Sequence, residues 1–513
     1  MTDDPEEPSR PPDDGLAARI AAIGDVLATA EAMRRENAFD RVLPYLESQL
    51  ARHGDRALLG EAELRRGRLD AAVEHLAAAL TAHPDDVPRR HLLGTALRRL
   101  NRNDEAIAAF EAVLARDPRH VAARQALGSL LTLKPERLAE GIAQLEAAVA
   151  AATDAAEPSL HDAQAALAGA CLLAGRWEAG AALTNAVIAA EPNHGYANFY
   201  QSLLRLTLGD LANGFRQYEA RWLVPTVSVP ANIPDIPEWT TQDLRGRRLR
   251  VLSDQGVGDV IQFARYLPLL VERGASVVLE LPPALTHLLQ SLTNPHPERP
   301  IEIVAVGDPA PPADFFAPIC SLPTRFGTRL ETIPASVPYL HAEPAATARW
   351  RRRLDATGNG PRIGLCWSGN PQFPLAGYRH MPADALAPLA EVPALYCTVQ
   401  PDLAAMPPLP RLVDCGAALD DFADTAALIA ALDLVVTVDT AVAHLAGALG
   451  KPVWLLLSRI PDWRWMLERR DNPWYPTARL FRQSHDGDWS GVVARVVEAL
   501  TRGGPGAAAT GSG

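Results

Sequence analysis

The chain has 513 residues, a length for several domains, and 48% of them are hydrophobic, ample for packed cores. Its 49 basic and 61 acidic residues give a net charge of −12 with no long basic tract, which argues against a nucleic-acid groove. The five cysteines (Cys171, Cys320, Cys366, Cys397, Cys415) form no Cys-x-x-Cys pair, no run is apolar enough for a membrane span, and the start lacks a signal-peptide core, so a cytoplasmic protein with free thiols is expected.

Residues 1–15, MTDDPEEPSRPPDDG, are acidic and Pro-rich and are expected to be a disordered tail. Residues 16–222 are predicted to form an α-solenoid with an N-terminal helical cap. GRLDAAVEHL from Gly67 and NRNDEAIAAF from Asn101 start 34 residues apart, as do GRWEAGAALT from Gly175 and GDLANGFRQY from Gly209. Pro84 and Pro118, and Pro158 and Pro192, keep the same spacing. That is the tetratricopeptide period. Gly60, Gly94, Ala72 and Ala106 stand where paired helices must touch. The middle unit is longer, with an insertion expected at residues 132–136 or 153–157. Such arrays offer concave surfaces for peptides or proteins, and they also serve as spacers or dimerisation arms. The histidines of this region, His53 and His75 among them, lack ligand-like spacing.

Residues 223–244 are Pro-rich and aperiodic, and they read as a linker. From residue 245 short apolar strands alternate with helices, the pattern of parallel sheets. Strands are predicted at Leu249–Leu252, Ser276–Leu279, Ile301–Val304, Ile363–Cys366, Tyr396–Val399, Leu434–Val438 and Val453–Leu457. Two doubly wound halves follow, residues 245–345 and 346–502, linked through Ile333 to Arg353. Residues 503–513 read as a flexible tail.

Three stretches carry chemistry. In SDQGVGDVIQFARYLPLL, Gly256 and Gly258 allow a tight turn and close backbone approach to a ligand, and Asp259 opens a helix. Asp259 suits a general base; it equally suits a helix start. In RIGLCWSGNPQFPLAGYRHMP a buried strand runs into a loop with Ser368, Gly369 and Asn370, followed by Arg379 and His380. In VVTVDTAVAHLAGALGKPVW, Asp439 and Thr440 sit where a strand meets a helix N-terminus, a place where ligands bind in open parallel sheets. His444 lies one turn on, sharing a face with Thr440. Capping by Asp439 and Thr440 with a packed His444 is the alternative. Further on, Trp463, Trp465, Trp474 and Tyr475 suit either a sugar-binding face or an ordinary core, with Asp462 and Arg464 among them.

The Asp439-Thr440-x-x-x-His444-Leu445-Ala446 run with its Gly450-Lys451-Pro452 turn, the Gly256-x-Gly258-Asp259 run and Trp367 to Asn370 together resemble the bacterial heptosyltransferase-like glycosyltransferases. With the repeats, the layout is similar to bacterial tetratricopeptide-repeat glycosyltransferases such as those that modify flagellin. The resemblance implies a tetratricopeptide solenoid followed by an α/β GT-B pair of Rossmann-like domains. It implies Asp259 as the base, a cleft turn at Gly256 and Gly258, and a donor site of Ser368, Gly369, Asn370, Arg379, Asp439, Thr440 and His444. It further implies an inverting single displacement from a nucleotide-sugar co-substrate, with no cofactor and no metal. The chain departs from the family at Phe373 to Gly377, apolar where relatives carry a polar, basic loop. Flagellin or another protein held by the repeats is the expected acceptor. Alternatives are a transferase acting on lipopolysaccharide or another glycan, a scaffold whose transferase half has decayed, and a nucleotide-binding regulator.

Overall fold

The computed structural model describes residues 56–503, apart from 226, 228–229, 231–232, 295 and 402–404. The acidic tail, the helical cap before residue 56 and the tail from 504 lie outside the described residues. The chain divides into two compact units. The first includes the described residues up to 132 together with 137–166; the second holds 133–136 and everything from Leu167 onward.

The first unit is built of helices Arg56–Arg66, Leu69–Ala82, Val87–Arg99, Asn103–Arg116, Val121–Leu131 and Leu138–Ala155, and it takes in the start of Leu160–Leu173. Paired helices approach closely because a glycine recurs at one position. A Cβ on Gly60 would lie 2.6 Å from Leu76, one on Gly94 2.8 Å from Phe110, and one on Gly128 2.7 Å from Leu145. Those contacts are closer than real Cβ atoms make, so each glycine admits a large side chain from its partner helix. The turn between partners needs a left-handed residue, supplied by Gly67 (φ +77°) and Asn101 (φ +59°). The insertion resolves into a 3₁₀ turn at Pro135–Arg137 and an 18-residue helix where neighbouring repeats have 14. His120 caps its helix, accepting from Ala123 N–H at 3.2 Å, which gives a repeat histidine a structural role.

The second unit opens with helices Trp177–Ala190, Gly195–Thr207 and Leu211–Tyr218. Two fully parallel sheets follow. β1 (Arg248–Leu252), β2 (Ser276–Leu281), β3 (Ile301–Ala305) and β4 (Phe315–Pro318) form a sheet of order β3-β2-β1-β4. β5 (Arg362–Cys366), β6 (Leu395–Thr398), β7 (Leu412–Val413), β8 (Leu434–Val438), β9 (Val453–Leu457) and β10 (Ala478–Arg482) form one of order β10-β9-β8-β5-β6-β7. The predicted strands are present, and β4, β7 and β10 are additional. β7 has only two residues and β4 has four, ending at Pro318, so neither is long enough to carry a periodic signal. Each sheet reverses its order once, at β1/β4 and at β5/β8, and ligands in such sheets bind beyond the strand ends at these points.

The last repeat helices and the sheets share one hydrophobic core. Leu206, Leu211, Phe215 and Tyr218 cluster with Trp239, Val260, Phe263, Trp463 and Trp474. Phe215 meets Trp463 edge-on at 5.4 Å and Trp474 at 6.1 Å. The predicted linker is also docked at its end, where Trp239 N–H donates to Phe316 O at 2.7 Å beside β4. Just after the last repeat helix, Arg221 is buried and pairs with Asp254 at 2.8 Å; both side chains are 1% exposed. It also donates to Ser321 Oγ at 2.7 Å, while Asp254 accepts from Cys320 N–H at 3.0 Å. Residues 195–222, expected as the end of a separate array, thus pack into the sheet domain.

Removing one partner of a buried pair leaves an uncompensated charge. Arg221→Met is expected to destabilise the second unit by about 3–5 kcal/mol. Urea unfolding followed by tryptophan fluorescence measures it; a loss below about 1 kcal/mol would show that Asp254 finds another partner.

Candidate functional site

The site begins at the β1/β4 switch point. After Leu252 the chain turns through Ser253 to Gly256 and enters helix Val257–Phe263. Asp259 folds back on this start: its Oδ2 accepts Gly256 N–H at 3.0 Å. Gly258 faces a side chain, in place of the expected ligand. A Cβ there would stand 2.9 Å from His444 Cδ2, so the glycine lets the two halves approach.

Asp259 is the first member of a chain of alternating charges. Its Oδ1 pairs with Arg464 of the opposite half. Arg464 Nη1 reaches Asp462 Oδ1 at 2.8 Å, and its Nε donates to Gln262 Oε1 at 2.5 Å. Asp462 Oδ2 accepts from Arg379 at 3.2 Å, and Arg379 Nε lies 3.3 Å from Asp439 Oδ2. Asp259 and Asp439, from different halves, are therefore joined through Arg464, Asp462 and Arg379. Arg464 is 10% exposed, so its two carboxylates are obligatory neighbours.

In the second half the loops after β5 and β8 meet. Gln400, at the end of β6, accepts from Trp367 N–H at 2.8 Å and Ser368 N–H at 3.2 Å, and donates to Ser368 Oγ at 2.8 Å. His380 Nε2 accepts from Gly369 N–H at 3.1 Å. A Cβ on Gly369 would lie 3.1 Å from Thr440 Cγ2, so that glycine is what lets the loops touch. Asn370 is exposed and its Oδ1 accepts from Gln372 N–H at 2.9 Å. Thr440 caps helix Ala441–Ala448, its Oγ1 accepting from Val442 N–H at 3.3 Å. Phe373, in the divergent loop, lies under the Arg379 guanidinium at 4.4 Å.

Burial dominates the protonation of these groups. It raises the Asp259 carboxyl even though Arg464 acts the other way, and the side chain keeps 21% exposure. It raises Asp439 too, opposed by Arg379. Asp462 goes the other way, held down by Arg464 and Arg379 against its burial. Burial and the nearby cations keep His444 neutral, far below the usual imidazole range.

The structure brings Ser368, Gly369, Arg379, Asp439 and Thr440 together beyond β5 and β8. His444 sits apart from them. It is 5% exposed, bonds to Tyr475 Oη at 2.9 Å and stacks on Trp465 at 5.4 Å. Its expected place in the donor site gives way to one between the halves, against Gly258, because the helix turns that face inward. The aromatic run is core: Trp463, Trp465, Trp474 and Tyr475 are at most 4% exposed. Arg265, which spans from the first half to Trp474 O at 2.6 Å and Tyr339 Oη at 3.1 Å, carries no sequence signal, nor does Gln400. Arg464 is marked only by its setting among tryptophans.

The chain matches glycosyltransferase family 9 (heptosyltransferase) over residues 418–458, and tetratricopeptide repeat families over residues 30–87 and 63–131. It is 29% identical over 329 residues to Protein FlbA of Caulobacter vibrioides (strain ATCC 19089 / CIP 103742 / CB 15), covering 59% of this chain. The match spans 54% of that relative, about half its length. A solved glycosyl transferase family 9 structure from Veillonella parvula DSM 2008 aligns at 13% identity over 51% of this chain and 97% of that one, with a TM-score of 0.38. A thermophilic TPR protein in Thermus thermophilus, TTC0263, aligns at 20% identity over 34% of this chain and 92% of that one, with a TM-score of 0.29.

Replacing Arg464 by Gln tests the charge chain. Without the cation, the Asp259 and Asp462 carboxyls rise, and each costs stability only while ionised. A raised carboxyl stabilises the fold below its unfolded pKa and loses that advantage as pH rises through the folded one. The destabilisation by Arg464→Gln, read from urea midpoints, is therefore expected to be larger at pH 8 than at pH 5. Equal losses at the two pH values would mean that the carboxylates are not coupled to Arg464.

Proposed function

We propose that this chain, which joins tetratricopeptide repeats to a glycosyltransferase family 9 domain, transfers a sugar from a nucleotide-activated donor to an acceptor hydroxyl. The observation that carries the reading is the charge chain linking the two switch points. It ties a carboxylate suited to base work, Asp259, to the loops after β5 and β8, the second of which lies within the stretch that matches glycosyltransferase family 9. The acceptor oxygen attacks the anomeric carbon while the bond from that carbon to the donor phosphate oxygen breaks. Asp259 takes the hydroxyl proton, and the nucleotide leaves with the bonding electrons. A single displacement of this kind inverts the anomeric centre, and the nucleotide sugar is a co-substrate, so the reading asks for no cofactor.

Arg379 is the cation nearest the donor loops, and Asp462 and Asp439 already engage it. Trp367, Ser368 and Gly369 have their N–H groups committed to Gln400 and His380. The acceptor is a protein such as flagellin, held by the repeats. The repeat architecture supports a polypeptide partner, since such arrays serve chiefly to bind peptides and proteins. Among the described residues no helix is long and apolar enough to cross a membrane.

Asp259→Asn tests the base. The amide keeps the size of the side chain and can still meet Arg464 through its oxygen, so donor affinity is expected to hold. Single-turnover transfer is expected to fall by about 10²- to 10⁴-fold. Transfer at the wild-type rate would remove Asp259 from the chemistry. With burial raising its pKa, the acid limb of the wild-type profile is expected above the ordinary carboxylate range.

Asp439→Ala separates the donor side from the base. It should weaken nucleotide-sugar binding in titration calorimetry while leaving the fold intact. His444→Ala, by contrast, is expected to lower the melting temperature, because it empties the contact with Gly258, Trp465 and Tyr475. Unchanged donor affinity in the Asp439 variant would reduce that motif to helix capping.

A further inference from the structure

The last repeats do more than adjoin the transferase. A cavity of about 140 Å³ lies between them and the ends of β8 and β9. Leu172, Trp177, Leu203 and Thr207 line it from the repeat helices. Arg379, Asp439, Asp462, Ser458, Ile460 and Pro461 line it from the transferase side. The repeat wall is mainly apolar, and the transferase wall adds Leu375, Leu456 and Trp463 to its three charged side chains. Asp439 is 8% exposed, and its Oδ2 lies 3.3 Å from Arg379 Nε on the charged side of the cavity.

The wall is fixed in place. A Cβ on Gly175 would lie 2.8 Å from Ile460 Cδ1, and Arg459 donates to Ala174 O at 3.3 Å. Phe215 on the next helix and Arg221 just after it tie the end of the array to both halves of the transferase. Two carboxylates disfavour a phosphate in this cavity, whereas hydroxyl groups satisfy both them and Arg379. Its volume is below the roughly 300 Å³ at which sites for larger ligands begin, so it suits a single ring. A sugar ring has an apolar C–H face for Trp177 and Leu203 and a rim of hydroxyls for Asp439.

We propose that the last repeats complete the sugar pocket, with Trp177 and Leu203 selecting which sugar the donor carries. This rests on the transferase reading above. In this chain the repeats would be a specificity element of the active site as well as a docking surface.

Calorimetry on the full chain tests it, with UDP-, GDP-, ADP- and CMP-linked sugars alongside free UDP, GDP, ADP and CMP. Leu203→Trp fills the cavity and should weaken the preferred nucleotide sugar by about tenfold or more, while the free nucleotide changes by less than about twofold. Trp177→Ala, at a half-buried position, should narrow the preference between the best and second-best sugars on one nucleotide by about fivefold. Melting curves accompany both; if Leu203→Trp does not fold, Trp177→Ala decides. Parallel losses for sugar and free nucleotide, or an effect confined to the KM of the acceptor, overturn the sugar pocket. A wild-type chain that binds none of the panel overturns the transferase reading first, and the pocket with it.

Discussion

Arg464 sets the terms for the rest of the second unit. A guanidinium that is nearly buried must be neutralised, and its neutralisers come from both halves: Asp259 after β1 and Asp462 after β9. The two Rossmann-like halves therefore meet through a charge that neither can bury alone. Arg265 reinforces the junction, lying over Tyr475 at 4.6 Å and Tyr339 at 4.8 Å. Gly258 removes the one Cβ that would hold the halves apart at His444. Charge, aromatic packing and a missing side chain thus fix the same interface.

The same logic governs the repeats. A solenoid end normally needs a polar capping face, because no further repeat covers it. Here Leu206, Leu211 and Phe215 are covered by Trp463, Trp474 and the first sheet domain. The sheet domains act as the cap. Arg221 then seals the junction with a buried pair to Asp254, in the same loop that leads to Asp259. Motion between these last repeats and the site would have to break both the apolar core and that pair, so this end of the array is a structural part of the sheet domains.

The divergent 373–377 loop gains a physical meaning from Arg379. Phe373 lies against the guanidinium face while Asp439 and Asp462 take its edge. One cation held by one ring and two carboxylates replaces the polar, basic loop expected of the family. The local balance over Asp259, Asp439, Asp462, Arg379 and Arg464 is one net negative charge when all are ionised. Burial moves Asp259 and Asp439 toward the protonated form, which eases that imbalance.

The sequence by itself determined what depends on local period and local chemistry. The 34-residue spacing of Gly67 and Asn101 marks turns that need a left-handed backbone, and the apolar run Leu434–Val438 marks a strand covered on both faces. The positions of Asp259, Asp439 and Thr440 at strand-to-helix junctions followed from the same signals. Tertiary structure alone decided what depends on neighbours distant in the chain. It put Arg464 on Asp259, 205 residues away, and Arg221 on Asp254. It turned His444 from the donor loops into the interface, and it made the tryptophan run a core. A charge buried by folding needs a partner in space, and spacing along the chain carries no record of which carboxylate that will be.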